Sequence, residues 1–401
     1  MAGSALAALG AKAAGAALAA WLASAHPHQV IRVPAGHYHG HFVLSTPGVS
    51  LVGSPGAVLD GDGSGTVLTV KGPDCAVSGL TFQGSGRDIL ADDAAVRVEG
   101  TRGVRLDHLS VSNCLDGFYV LKSDRVEIAR CHLIGVPGHG LDDSGDGCHL
   151  FHSGSVGVHD CRVEGFRDGL YLEFSPDARI ERSTFSGNHR YGLHVMQTSG
   201  TRFSRCAFTD NAVGSVLMYS KHIVVEHNLF ARQKGAIGQA MLFKENDDSV
   251  IRDNELVGNT TGFFIDGSER NQFTGNRLVA NGWAILLFAS SSQNHFAGNA
   301  FLANDFEVAV DMAAASNHFA GNFWSGRVGA GADTPYNPVR PFAFLAIQRP
   351  DLLAFGSTPA ARALDAAFQI VPGLVGAAVQ DEHPLSTPPR VASGITQEGC
   401  P

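Results

Sequence analysis

The chain has 401 residues, 44% of them hydrophobic and 17% charged, with 48 glycines and a net charge of −9. No Lys/Arg block interrupts that acidic balance, which argues against a nucleic-acid partner, and no apolar run reaches the roughly 18 uninterrupted residues of a membrane span. Seven cysteines (Cys75, Cys114, Cys131, Cys148, Cys161, Cys206 and Cys400) contain no Cys-x-x-Cys pair, so neither a zinc ribbon nor a thioredoxin-type site is supported.

Residues 1–28 form the first segment. It is Ala-rich, and Ala23-Ser24-Ala25 resembles a signal-peptidase site, although Lys12 is its only basic side chain. It reads equally well as an apolar helix, because Leu18, Trp21 and Leu22 fall at i, i+3 and i+4 and would close the open end of a first coil. His37, His39 and His41 follow on a strand, flanking inward Tyr38 and Phe42, with His26 and His28 close by in sequence. Three alternating histidines can bind copper or zinc, but a solvated polar face has the same pattern.

From 29 to 326 one unit recurs: apolar-x-x-small/Asn-x-apolar, then Asn or Gly, then Gly and an alternating strand. Its central column runs Leu80, Leu109, Cys131, Cys161, Ser183, Cys206, Asn228, Asn254, Asn276, Asn299 and Asn322, mostly 22 or 23 residues apart. That period is too short for helical-hairpin repeats. It predicts an all-β, right-handed, single-stranded parallel β-helix whose coils stack at strand-pairing distance, so that Asn side chains of one column can bond along the stack. A second column, Asn188, Asn211, Asn259, Asn281 and Asn304, agrees. Cys131, Cys161 and Cys206 then read as small buried side chains, without a disulfide.

The strand after each glycine is the most informative. Alternation sends Val120, Leu150, Leu172, Val195, Leu217 and Ile265 inward. It sends Tyr119, His149, Tyr171, His194, Val216 and Phe264 outward, beside Leu121, Phe151, Glu173, Met196, Met218 and Asp266, with Leu242 and Lys244 continuing by register. An outward face this rich in Tyr, Phe, Leu, Val and Met reads as an interaction surface. Tyr119, Leu121, His149, Phe151, Tyr171, Glu173, Val216 and Leu242 are its partner-binding candidates. The alternative is that the chain's own tail covers it. Within the face, His194, Met196 and Met218 offer an imidazole and two thioethers at equivalent or alternate positions, a soft donor set suited to Cu(I). Simple hydrophobic contact by the methionines is the competing reading.

Asp142, Asp143 and Asp146 form the best acidic cluster, just after Gly138-His139-Gly140. Parallel β-helices include pectin- and alginate-degrading enzymes that use clustered carboxylates, so a polyuronate lyase, hydrolase or epimerase working through Asp142–Asp146 is the second reading. The same Asp/Gly/Ser-rich stretch also reads as a loop between coils.

The repeat stops after Trp324. Residues 327–401 are expected to form a C-terminal arm: a turn-rich stretch, helical segments at 341–355 and 358–370, and an extended polar end. Thr358 or Ser357 is placed to cap the second segment, Pro359 suits its first turn, and Ala361, Leu364, Ala367, Phe368 and Val371 make its apolar stripe. Such an arm would cover the unpaired edge of the last coil or reach a second protein.

Several of these residues together resemble the NosD family of periplasmic nitrous oxide reductase maturation proteins. The resemblance lies in Arg190-Tyr-Gly-Leu-His-Val-Met196, Leu217-Met-Tyr-Ser220, Gly321-Asn-Phe-Trp-Ser325, Pro335-Tyr-Asn-Pro-Val339, Asp381-Glu-His-Pro-Leu385 and the opening Val30–Tyr38, and it extends from about residue 28 to 388. The family's segment after the Trp is shortened here, to Ser325–Thr334. The resemblance implies a non-catalytic periplasmic scaffold on an ABC transporter with membrane and ATPase subunits. Such a scaffold receives transient Cu(I) from a lipoprotein chaperone and serves copper-cluster assembly in nitrous oxide reductase. It places the family's His/Met motif on His194, Met196 and Met218, and it makes the 381–385 motif part of an arm that engages the membrane components or the reductase.

Overall fold

The structure, a computed structural model, describes residues 11–136, 138, 141–233, 235, 238–311, 316–327, 334–355, 358–361, 363–364 and 379–389. Short strands of three to six residues alternate buried and less buried positions and pair in parallel with the strand one coil away. The result is a right-handed parallel β-solenoid of about twelve turns with three sheets, as the repeat predicts. The chain divides into two compact units, residues 1–202 and 203–399.

In the first unit, helix Ala11–Ala23 rests on strands Gly36–His39 and Phe42–Leu44, with Leu18 and Leu22 buried, so the residues read as a capping helix do form one. Gly15 is required there, because a Cβ would stand 2.0 Å from the His39 carbonyl oxygen. Beneath the helix the core is a set of columns: Val120, Leu150, Leu172 and Val195 are each 0% exposed, as alternation predicts. Cys131 and Cys161 are buried free thiols in the turn column. The Cys161 amide donates to Ser183 Oγ at 3.1 Å. Cys400 lies outside the described residues.

In the second unit the turn column becomes a continuous ladder. Asn228, Asn254, Asn276 and Asn299 each donate from Nδ2 to Oδ1 of the next asparagine at 2.9–3.0 Å. The same Oδ1 also accepts the previous residue's backbone amide. A second ladder links Asn259, Asn281 and Asn304, and Gln233 takes part where the sequence pattern leaves a gap. A third, unanticipated ladder joins Asn246, Asn271, Asn294 and Asn317. The residue before each rung of the first ladder has positive φ: His227, Asp253, Gly275, Gly298 and Gly321. This left-handed turn conformation is tolerated by Gly and Asp and is costly for most other side chains.

The tail closes the second unit in two ways. Helix Pro341–Gln348, followed by a 3-10 turn Pro350–Phe355, sets Phe342, Ala343 and Ala346 against Trp283, Phe306 and Ala309. Leu286 and Ala309 continue the outer column of Leu242 and Phe264 in register, so the tail does cover the far end of that face. Thr358 Oγ1 accepts the Ala361 amide at 3.3 Å, the capping role read for it. Ser357, Ala367, Phe368, Val371 and the rest of the 365–370 segment lie outside the described residues. Asp381 is fully buried and occupies the next rung of the first ladder. Its carboxylate accepts from the Gly321 and Asn322 amides, Asn322 Nδ2 and Trp324 Nε1, at 2.9–3.1 Å. The 381–385 motif, read as part of a partner-engaging arm, therefore has its acidic residue committed to the chain's own last coil.

Candidate functional site

The outer face of the third sheet in the first unit is built from strands Asp116–Leu121, Cys148–Phe151, Asp168–Glu173 and Tyr191–Met196. Their register puts Tyr119 beside His149, His149 beside Tyr171 and Tyr171 beside His194. These coils approach closely because glycine recurs in each: a Cβ on Gly147 would come within 2.6 Å of the Gly169 carbonyl oxygen.

One continuous row of rings results. Tyr119 meets His149 edge-on at 5.0 Å, His149 stacks on Tyr171 at 4.5 Å, and Tyr171 stacks on His194 at 4.2 Å with planes 7° apart. Tyr171 Oη also donates to Met196 Sδ at 3.5 Å, which ties the thioether to the row. The structure thus brings together Tyr119, His149, Tyr171, His194 and Met196. Met218 is half-buried on strand Val213–Met218 of the second unit, in register with Lys244, and Val216 is in register with Leu242.

Three residues expected on an exposed face are buried instead. Tyr119 is 4% exposed, His194 6% and Val216 1%. The alternation is right, but large neighbours roof the face. The Arg97 guanidinium lies 4.8 Å over the Tyr119 ring, and Tyr171 and Tyr191 flank His194. Leu121, Phe151, Glu173, Leu242 and Met196 are partly exposed, as are His149 and Tyr171 in the middle of the ring row.

Beneath the rings runs a column of buried carboxylates, of which the sequence pattern singles out only Asp146, as a member of the Asp142–Asp146 cluster. Asp116, Asp146 and Asp168 each precede the glycine that opens a strand, so an Asp-Gly pair recurs at the coil period; that recurrence is the signal that could have revealed them. Asp146 accepts from Arg167 at 3.2 and 2.8 Å, and Asp168 is held by both arms of Arg190. Asp116 Oδ1 accepts the Asp146 amide at 2.7 Å. Burial, then the charge of Asp146, pushes the Asp116 carboxyl up to about 7. Burial pushes Asp168 the same way, but Arg190 and His194 outweigh it and hold its pKa below the ordinary value. For His149, burial favours the neutral ring, while Glu173, Asp146 and Asp116 prevail and raise its pKa.

Asp168 Oδ2 lies 3.1 Å from His194 Nδ1 and fixes that side of the ring. Both His194 Nε2 and His149 Nε2 are buried without a hydrogen-bond partner among the described residues. A buried imidazole nitrogen left open, with its other nitrogen oriented by a carboxylate, is the arrangement typical of a metal-binding histidine. His194 Nε2 and Met196 Sδ are the donors this face offers to a soft cation.

The acidic cluster read from the sequence does not hold together. Asp142 and Asp143 are exposed on the short turn Leu141–Asp143, whereas Asp146 is buried and paired with Arg167. His139 and Gly140 lie outside the described residues. On the first coil, His37, His39 and His41 do not form one continuous set: the strand ends at His39, and His41 Nδ1 is 2.9 Å from the Thr66 carbonyl oxygen.

Comparison with known proteins places these coils. Residues 135–329 match the family model described as periplasmic copper-binding protein (NosD). A "probable ABC transporter binding protein NosD" of Stutzerimonas stutzeri is 31% identical over 139 residues, 34% of this chain and 32% of the relative. One from Pseudomonas aeruginosa strain PAO1 is 29% identical over 136 residues, 34% and 32% respectively. The chain spans about a third of the length of these curated relatives in the match. Among solved structures, a PL6 alginate lyase in complex with a trisaccharide superposes with TM-score 0.60 at 13% identity, covering 78% of this chain and 83% of the other. PfbA, a surface adhesin of Streptococcus pneumoniae, superposes at 0.53 and 12%, covering 74% and 87%. These two likenesses concern the fold alone. Among the described residues no helix is long and apolar enough to cross a membrane. Residues 135–329, which contain most of the ring row and both of its metal-donor candidates, are thus similar to the periplasmic copper-binding family NosD.

Proposed function

We propose that this chain is a non-catalytic periplasmic scaffold that hands copper, as transient Cu(I), to nitrous oxide reductase during assembly of its copper clusters. It docks a copper-chaperone lipoprotein and the membrane and ATPase subunits of an ABC transporter. The observation that carries the reading is the buried, unpartnered Nε2 of His194 on the strand that also carries Met196, with Tyr171 stacked on the imidazole and bonded to the thioether, within the segment that matches a copper-binding family. The name of the curated relatives supports the transporter association. Imidazole and thioether are soft donors, and so small a set holds Cu(I) weakly enough to release it. The repeat nominates Met218 as a second thioether, to be tested by its own variant. Leu121, His149, Phe151, Tyr171, Glu173 and Leu242 supply the partly exposed surface against which a partner would close, with Tyr119 and Val216 as its buried support. A polyuronate-active enzyme would need a positioned acid and base in the Asp142–Asp146 region. The exposure of Asp142 and Asp143 and the pairing of Asp146 with Arg167 weigh against it.

The test is the copper content of nitrous oxide reductase purified from cells that carry variants of this chain. Met196→Leu keeps volume and apolarity but removes the sulfur, and is expected to leave the reductase copper-deficient. Asp142→Asn is expected to leave it fully loaded. A fully loaded reductase with Met196→Leu contradicts the proposal.

A further inference from the structure

A second cluster of metal-ligating side chains lies at the other end of the first unit, apart from the ring row. The turn after strand Ala57–Asp60 reads Asp60-Gly-Asp62-Gly-Ser64-Gly65, with oxygen-bearing side chains at alternate positions and glycines between them. Alternating Asp, Asp and Ser before a Gly is the opening of a cation-binding loop, although Lys71 stands where the closing glutamate of a calcium loop would be. The missing donor comes from the coil before. His39 is the register partner of Asp60, and one donor atom from each of His39, Asp60 and Asp62 lies within 4.8 Å of the others. His39 Nδ1 is 2.5 Å from Asp62 Oδ1, and the Asp62 amide donates to Asp60 Oδ1 at 2.9 Å. Gln83 Nε2, one coil further on, donates to Asp60 Oδ2 at 2.6 Å and orients that carboxylate.

We infer that His39, Asp60 and Asp62 bind a divalent cation of the zinc class and staple the first coil to the second. One imidazole nitrogen and two carboxylate oxygens are a three-ligand set that zinc accepts with a fourth position open to water. The set lacks the sulfur that Cu(I) prefers, so this site and the His194/Met196 donors select different metals. Ligand atoms around a tetrahedral zinc stand about 3.3 Å apart, so binding separates His39 from Asp62 slightly. Asp62 can move to allow this, because its side chain is 50% exposed and it lies between two glycines. His39 also belongs to the strand that seats the N-terminal helix, whose Gly15 lies against the His39 carbonyl. A cation there holds down the strand on which the cap rests.

The experiment uses the full, untagged chain stripped with EDTA and then titrated with Zn²⁺ against a chromophoric chelator, with Tm followed in parallel. Wild type and Met196→Leu are expected to bind one equivalent and to gain Tm. Asp62→Asn and His39→Gln, at partly exposed positions and close in volume, are expected to bind at least ~10-fold more weakly and to gain none. Equal Zn²⁺ affinity in wild type and Asp62→Asn overturns the site. Stoichiometric Ca²⁺ binding without Zn²⁺ also overturns it, because the imidazole would then play no part.

Discussion

The same corner of the coil is built in two ways. In the second unit it is a run of asparagines, each serving the amide and side chain of its neighbour and ending on Asp381. In the first unit the corresponding positions are leucine, cysteine and serine, and the polar investment moves to the start of the third-sheet strands, where Asp116, Asp146 and Asp168 lie buried beneath a row of rings. Along its asparagines the ladder satisfies neutral groups with neutral groups, and its terminal carboxylate, Asp381, is met by the donors of the last rung. The carboxylate column confines charges that need Arg167 and Arg190 to offset them. Buried, paired charge is poor evidence of stability but a good sign of a site, because desolvation shifts pKa values and orients histidines. The homogeneous repeat is built on neutral rungs, and the irregular one gathers buried carboxylates under histidines and tyrosines.

The largest expected effect separates the two corners directly. Asn276→Leu strips the Asn254 amide of its acceptor and leaves the Ile251 carbonyl without its side-chain donor. Each such buried group costs on the order of 1–3 kcal/mol, so the variant should lose about 3 kcal/mol or more in chemical denaturation. Cys161→Ala, at the matching position of the first unit, should lose only about 1 kcal/mol, because the Cys161 amide keeps its Ser183 partner. Equal losses would remove the distinction between the corners.

A smaller effect probes the carboxylate column through pH. The Asp116 carboxyl sits at about 7 in the folded chain, against about 3.9 in an unfolded one. Between those values the folded state holds a proton that the unfolded state has released, so this group's contribution to stability falls as pH rises from about 4 to about 7. Asp116→Asn keeps an acceptor for the Asp146 amide and removes the titration. The variant should melt above wild type at pH 8, with the advantage shrinking toward pH 4. An advantage that does not vary with pH would mean that Asp116 is not the titrating group.

The sequence made the core fully legible, since strict alternation fixes Val120, Leu150, Leu172 and Val195 inward whatever lies outside them. It made the placement of the candidate donors legible as well, since His194 and Met196 alternate on one face of their strand, next to Tyr171. What alternation cannot register is a roof. Tyr119 is covered by Arg97 and His194 by Tyr171 and Tyr191, contacts made by side chains long enough to lean across a coil. The carboxylates are not legible as a column for a simpler reason: Asp146 reads as part of a loop cluster, and Asp116 and Asp168 stand one residue before the glycine at which the strand pattern begins. Asp381 could not have been placed from its neighbours, because its partners Asn322 and Trp324 are 59 and 57 residues away in sequence.

The most direct test of the copper reading is a titration of Cu(I) into the purified chain under a competing chelator, comparing wild type with Met196→Leu and with Met196→Ala/Met218→Ala. The account predicts that wild type takes up a copper equivalent that both variants lose. Wild type and variants that hold Cu(I) equally well would contradict it, because the Met196 thioether would then have no part in holding the metal.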